Sequence, residues 1–241
     1  MRLIHAALAA TACLAVTACG QNADAEGDAA DAATEATEPA TEAAADAGAA
    51  DAPAMMSTAD ASPDAATLGE ADAEVTIIEY ASVTCPHCAT FHETLFPHIK
   101  ENWIDTGRAK LVMRPLPTQP AQLAVAGFLL ASCAGEGEEY FEVLDTLFTT
   151  QDAMFAAAQD GTIQAYFEGV GEDHGVSPEA FEMCLGDEAR LAQINASMLA
   201  SDADMVTGTP SFVINGTPHG ADELATPESW DAALQAAEDA Q

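Results

Sequence analysis

The run Val75-Thr76-Ile77-Ile78-Glu79-Tyr80 leads through Ser82-Val83-Thr84 into Cys85-Pro86-His87-Cys88. This order constrains the chain more than any other feature. The first six residues are mostly β-branched or aromatic, with apolar residues on both faces, the pattern of a buried central strand. Ser82-Val83-Thr84 then forms the turn. Pro86 suits the first turn of a helix, where its missing N–H costs nothing. Phe91, Leu95, Ile99 and Trp103 recur at helical spacing. Pro97 is expected to kink that helix, and Gly107 lies just past its end. Lys110-Leu111-Val112-Met113-Arg114 reads as a second strand. Strand, cysteine pair at a helix start, and strand together form a parallel βαβ unit.

Pro115 to about Asp204 reads as helical, with stretches at Ala121–Ala134, Glu138–Thr149, Ile163–Gly169, Pro178–Leu185 and Ala189–Leu199. A strand, Ser211-Phe212-Val213-Ile214, follows Gly208-Thr209-Pro210. Asn215-Gly216 is the strongest hairpin signal in the chain. A short strand comes next, and Pro227 to about Glu238 reads as a closing helix. The expected class is α/β: a central mixed sheet flanked by helices, with a βαβ start and an antiparallel βββ-like end. Residues 66–115 and 205–241 build that sheet domain, and residues 116–204 form an inserted helical domain.

The N-terminus reads as an export signal over residues 1–18. Arg2 gives a positive start, and Leu3 to Val16 is an apolar run too short to be taken first as a spanning helix. Val16-Thr17-Ala18-Cys19 resembles the bacterial lipobox, which implies lipid on Cys19. The alternative is plain cleavage after Ala18, which leaves a free thiol. Residues 19–65 are an acidic, alanine-rich disordered tether. Gln21 to Glu70 holds 20 alanines and 12 acidic residues with no lysine, arginine or aromatic. Leu68 is its only large aliphatic residue, too little apolar surface to offset ordering entropy.

The formal charge is −34, from 6 Lys+Arg against 40 Asp+Glu. That excludes phosphate-backbone binding as the main activity, because nucleic acid needs a basic surface. A polybasic membrane patch is absent as well. Beyond the N-terminus no run reaches the ~20 apolar residues of a membrane helix. Membrane attachment is therefore expected only through the lipid. Of 6 cysteines, Cys13 falls within the signal. With Cys19 lipidated, Cys85, Cys88, Cys133 and Cys184 remain, an even number suited to an oxidising compartment.

Cys85 sits where a strand ends and a helix begins. The unpaired N–H groups and partial positive charge there favour a thiolate, so Cys85 is the expected exposed nucleophile. Cys88, one turn on and more buried, can attack a mixed disulfide on Cys85. Zinc needs two further ligands at suitable spacing, and a c-type haem needs a histidine where Ala89 stands. No metal is expected. Glu79 is the odd residue in an apolar strand. A buried carboxylate is costly and can exchange a proton with Cys88; alternatively it faces solvent or pairs with Lys110. His92, His98, His174 and His219 form no ligand-spaced cluster and read as ordinary surface or partly buried residues.

Cys85-Pro86-His87-Cys88, Thr209-Pro210, and Glu79 six residues before Cys85 resemble the DsbA family of the thioredoxin superfamily, over about Ala66 to Ala237. The resemblance implies a thioredoxin-like fold and a protein disulfide oxidoreductase that donates disulfides to cysteine-containing exported proteins. It implies a cis Pro210 facing the active site, with Thr209 pairing with substrate chains, where the residues alone also allow a trans proline. It implies that His87, as imidazolium, favours the Cys85 thiolate. It implies a second, non-catalytic disulfide between Cys133 and Cys184, where the residues alone also allow two buried free thiols. No bound cofactor is implied beyond the redox-active pair. A quinone-linked membrane oxidase of DsbB type is the implied recycling partner, and the periplasm or cell envelope the implied location. Two rivals stay open: a reductase or isomerase, and a redox-inert or metal-carrying binding lipoprotein. The chain departs from the family mainly in charge, since residues 71–241 hold 28 acidic and 5 basic residues.

Overall fold

The computed structural model describes residues 62–241. The signal segment, Cys19 and the tether up to residue 61 lie outside them. Among the described residues a five-stranded sheet has the order β1-β3-β2-β4-β5. Its strands are β1 (Ala66–Leu68), β2 (Val75–Ala81), β3 (Ala109–Pro115), β4 (Ser211–Ile214) and β5 (Thr217–Gly220). β2 runs parallel to β3 and antiparallel to β4, while β1 is antiparallel to β3 and β5 to β4. The sheet is therefore mixed, as expected, but its third antiparallel partner comes from the N-terminal side. The C-terminal end supplies two strands and a helix, not three strands.

β1 takes the last residues of the low-complexity stretch. Ala66 and Leu68 are buried and Thr67 is exposed, the two-residue alternation of a half-buried strand. Three residues are too few for periodicity to reveal. The turn after it needs glycine: Gly69 has φ +102°, and a Cβ there would lie 2.9 Å from the Ala109 carbonyl oxygen.

Helix α1 (Pro86–Thr94) does not continue through a kink at Pro97. It stops at Leu95 (φ −112°), and α2 (Phe96–Ile99) starts with Pro97 in its first turn. Pro97 has no N–H to give the carbonyl four residues back, so the helix breaks before it. A π-helical turn, Lys100–Ile104, completes the segment. Six helices then connect β3 to β4: α3 (Ala121–Ala134), α4 (Glu138–Thr149), α5 (Gln151–Asp160), α6 (Ile163–Asp173), α7 (Pro178–Leu185) and α8 (Glu188–Ala203). Helix α9 (Pro227–Asp239) closes the chain, with Thr226 and Ser229 forming a capping box.

The strand register decides what each sheet face meets. Glu79 is paired with Met113 and with Phe212, so the three share one face. On that face the Phe91 ring of α1 lies 4.7 Å from Phe212, which lies 4.8 Å from Trp230 of α9. On the other face, the Tyr80 hydroxyl donates to Asp204 (2.7 Å), at the end of α8, and Arg114 donates to the same carboxylate (2.8 Å). Helices thus cover both faces. One hydrophobic cluster runs from Ile77 and Leu111 in the sheet through Phe128, Leu144, Phe148 and Phe167 in the connecting helices. Burying a phenylalanine such as Phe148 contributes about 1.5–3 kcal/mol.

Candidate active site

β2 ends at Ala81, and the chain turns through three buried residues, Ser82, Val83 and Thr84, into α1. Side chains hold this turn. Ser82 Oγ accepts from the Thr118 N–H (3.0 Å), and Thr84 Oγ1 donates to the Thr118 carbonyl (3.0 Å). From α5, Gln151 Nε2 donates to the carbonyls of Val83 (2.8 Å) and Cys85 (3.2 Å). These bonds satisfy backbone groups that would otherwise be buried and orphaned, and they fix where the first sulfur sits.

Cys85 is the N-cap of α1, in extended conformation (φ −92°, ψ 118°). It is only 7 % exposed, so the nucleophile expected to be exposed is instead recessed, with Cys88 fully buried behind it. Both sulfurs are thiols. The Cys85 thiol donates to the Thr209 carbonyl oxygen at 3.3 Å, and the Thr209–Pro210 peptide is cis. Proline at 210 offers no N–H, which leaves that edge open beside the sulfur.

The Cys85 thiolate accepts, above all, from the Cys88 thiol, and also from the Thr209 hydroxyl and the backbone N–H groups of Cys88 and His87. Against desolvation, these bonds lower its pKa to about 5. Cys88 moves the other way, pushed well above the ordinary thiol value by burial, by its bond to Cys85 and by the charges of Cys85 and Glu79. The Ser82 N–H donates to its sulfur at 3.5 Å. His87 reaches Cys85 through its backbone N–H; its imidazole was expected to favour the same thiolate. That ring is exposed and lines a groove of about 430 Å³ shared with Phe91, Pro210, Phe212, Asp222 and Leu224. Pro86 is also exposed.

Glu79 is completely buried. It neither faces solvent nor meets Lys110, which is paired with Thr76 and donates to the Ala71 carbonyl. Both carboxylate oxygens lie within hydrogen-bond reach of His92 Nε2, at 3.0 and 3.1 Å. His92 is thus not the ordinary surface or partly buried residue its lack of ligand spacing suggested. It is 3 % exposed and stacks on Phe148 with ring centres 4.2 Å apart. The overlooked signal is its place one helical turn after Cys88, on the same face of α1. Gln151 carried no signal at all, because 66 residues separate it from Cys85.

Cys133 and Cys184 are joined with an S–S distance of 1.96 Å between α3 and α7. Among the described residues no group of three or more His, Cys, Asp and Glu side chains could hold a metal ion. Among them, too, no helix is long and apolar enough to cross a membrane.

With this geometry in hand, the likeness to known proteins has a structural basis. The family model described as Thioredoxin matches residues 61–236. A relative from Rickettsia conorii named "Putative protein-disulfide oxidoreductase" is 32% identical over 154 residues, 64% of this chain and 54% of that one. Disulfide bond formation protein D of Bacillus subtilis is 25% identical over 153 residues, 61% of this chain and 66% of that one. The chain spans about half the length of the rickettsial relatives it matches. Among crystal structures, alpha-DsbA1 of Wolbachia pipientis superimposes with a TM-score of 0.64 at 25% identity, over 72% of this chain and 90% of that one. BdbD of Bacillus subtilis does so with a TM-score of 0.56 at 18% identity, over 72% and 92%, a likeness of fold. The chain belongs to the thioredoxin family and is a DsbA-like member of it.

Proposed function

We propose that the protein is a thiol–disulfide oxidoreductase that donates the Cys85–Cys88 disulfide to cysteine-containing exported proteins. The observation that carries this reading is the divergence of two sulfurs one turn apart: Cys85 is stabilised as a thiolate with a pKa of about 5, and Cys88 is held as a thiol. Stabilising the thiolate lowers the free energy of the reduced protein alone, which makes the disulfide a stronger oxidant.

In the reaction, a substrate thiolate attacks Cys85 of the disulfide. The Cys85–Cys88 bond breaks, a mixed disulfide forms on Cys85, and Cys88 leaves as a thiolate that takes a proton. A second substrate thiolate then attacks the substrate's own sulfur in that bond. The substrate leaves oxidised by two electrons, and Cys85 is released as the stabilised thiolate. Substrate backbone can pair beside the sulfurs at Thr209, as an added strand. The redox pair is the only cofactor this chemistry requires. A quinone-linked membrane oxidase of DsbB type would restore the disulfide. The cell envelope or periplasm, with a lipid on Cys19 as the anchor, is the proposed location.

Substitution separates the two sulfurs. A reduced, unfolded protein with several cysteines serves as substrate for the oxidised enzyme. Cys85→Ala should abolish disulfide transfer. For trapping, each single-cysteine variant instead meets a disulfide-bonded protein, whose own S–S bond breaks as the adduct forms; Cys88→Ala should then accumulate mixed disulfides on Cys85, read by non-reducing mass spectrometry. Adducts accumulating on Cys88 in the Cys85→Ala protein, with none on Cys85, would refute the assignment.

A further inference from the structure

The exchange reaction moves a proton at a sulfur that water cannot reach. Cys88 and Glu79 are both fully buried. The approach from the front leads past Cys85 and the groove beside it, which a substrate paired at Thr209, as proposed above, would cover.

Behind α1 the surroundings differ. His92 stands one turn after Cys88, and its Nε2–H donates to Glu79 at 3.0 Å. The same imidazole forms part of the wall of a second cavity of about 410 Å³. This cavity is separate from the groove: Thr90, Phe91 and Thr94 of α1 line the groove, whereas His92 and then Phe96 line the cavity. The charged and titratable groups facing it are Glu138, Glu142 and Asp145 of α4, Lys100 of the π-helical turn, and His174 after α6. The three α4 carboxylates are exposed. Lys100 is committed to Asp105 (2.6 Å) and reaches Glu138 at 3.6 Å. His174 bonds the Thr146 hydroxyl at 2.8 Å. An imidazole with a buried carboxylate on one side and a cavity walled by solvated carboxylates on the other can carry a proton between them.

We propose that His92 is a positioning residue that relays protons between Glu79 and the cavity behind α1, giving Cys88 a proton route separate from the substrate groove. This rests on the disulfide-exchange reading above. When Cys88 leaves the disulfide, Glu79 gives it a proton and regains one from the cavity through His92. When Cys88 attacks a mixed disulfide on Cys85, its proton goes to Glu79 and out by the same route. The Cys85–substrate S–S bond then breaks, Cys85–Cys88 forms, and the substrate thiolate leaves.

The test uses reduced protein and glutathione disulfide, with acid quenching and mass spectrometry to follow the Cys85–glutathione adduct and its conversion to Cys85–Cys88. Loss of a positioned proton-transfer group costs about 10²-fold or more in rate. His92→Gln keeps a donor for Glu79 but cannot titrate; its adduct should form at the wild-type rate and convert about 10²-fold more slowly. His92→Ala opens the wall of the cavity. There, added imidazole should restore the conversion, and pyrrole, similar in shape but without a basic nitrogen, should not. Conversion in His92→Gln at the wild-type rate would overturn the relay. Equal rescue by imidazole and pyrrole would overturn it too, since that points to packing alone. If wild-type Cys85 forms no adduct, the oxidoreductase reading itself fails, a result distinct from either of these.

Discussion

Cys85 and Cys88 share one turn of helix yet titrate in opposite directions, because Cys85 gathers several donors, the Cys88 thiol first among them, whereas Cys88 is desolvated and accepts only from the Ser82 N–H. The Cys88 thiol and the hydroxyl of Thr209 point their hydrogens at Cys85, and backbone N–H groups at the start of α1 add to them. Cys88 pays the desolvation cost with Glu79 and the Cys85 thiolate as negative neighbours. Iodoacetamide labelling of the reduced protein should therefore show Cys85 reactivity rising through pH about 5, with Cys88 unlabelled at pH 7. A Cys85 labelling midpoint near the free-thiol value of about 8.5 would contradict this account. Cys85 and Cys88 stood out in the sequence by their place where a strand meets a helix, and Glu79 as the odd residue in an apolar strand. The cis Thr209–Pro210 peptide beside Cys85 was legible only through the family resemblance, since the residues alone also allow a trans proline. His92 was not legible, since a histidine without ligand spacing carries no mark of the carboxylate facing it from another element. The His87 backbone N–H adds a donor to Cys85 that the sequence did not announce, because backbone contacts leave no trace in side-chain identity.

At the scale of elements, long periodic stretches were readable. α3, α4 and α7 have the bounds their patterns indicated. α6 and α8 run longer than the sequence suggested, because packing extends helices past their strongest apolar residues. α5 was hidden, being alanine-rich with only Gln151 and Met154 buried, so it has almost no apolar stripe to detect. Besides Gln151, Gly127 of α3 seats the helical segment against the active-site turn. A Cβ at this position would lie 2.8 Å from Val83 and 3.1 Å from Leu147. Helix propensity alone favours alanine over glycine by about 1 kcal/mol. Overpacking costs about 1–3 kcal/mol, and Val83 is fixed within the hydrogen-bonded turn. Gly127→Ala should therefore lower the urea midpoint of the reduced protein despite its better propensity, and should slow disulfide transfer by displacing Val83. An unchanged or higher midpoint would show that the helix yields freely.

Across the whole molecule, a cross-link and a charge act on stability in opposite directions. Cys133–Cys184 closes a sequence separation of 51 residues, which in the chain-entropy picture stabilises the fold by about 4 kcal/mol. The double substitution Cys133→Ala and Cys184→Ala should lower the unfolding free energy by about that amount while leaving transfer at Cys85 intact; loss of transfer at unchanged stability would instead give the bridge a catalytic role. The formal charge of −34 opposes compaction and is screened by salt, so all such comparisons belong at one ionic strength.

The central claim is that the Cys85 thiolate stabilises the reduced protein. A group whose folded pKa is depressed contributes stability that is complete above its unfolded value and is lost as pH falls through the folded value. For Cys85 that window runs from the ordinary thiol value near 8.5 down to about 5. At pH 8 the contribution is about 4 kcal/mol, at about 1.4 kcal/mol per pH unit above the folded value. The opposing term, chain entropy removed by so small a disulfide loop, is about 2 kcal/mol. Urea unfolding of the reduced and the oxidised protein from pH 5 to pH 8 tests this directly. The reduced form should be the more stable at pH 8, with the difference shrinking as pH falls toward 5. An oxidised form that is the more stable at pH 8, or a difference that does not change with pH, would contradict the account.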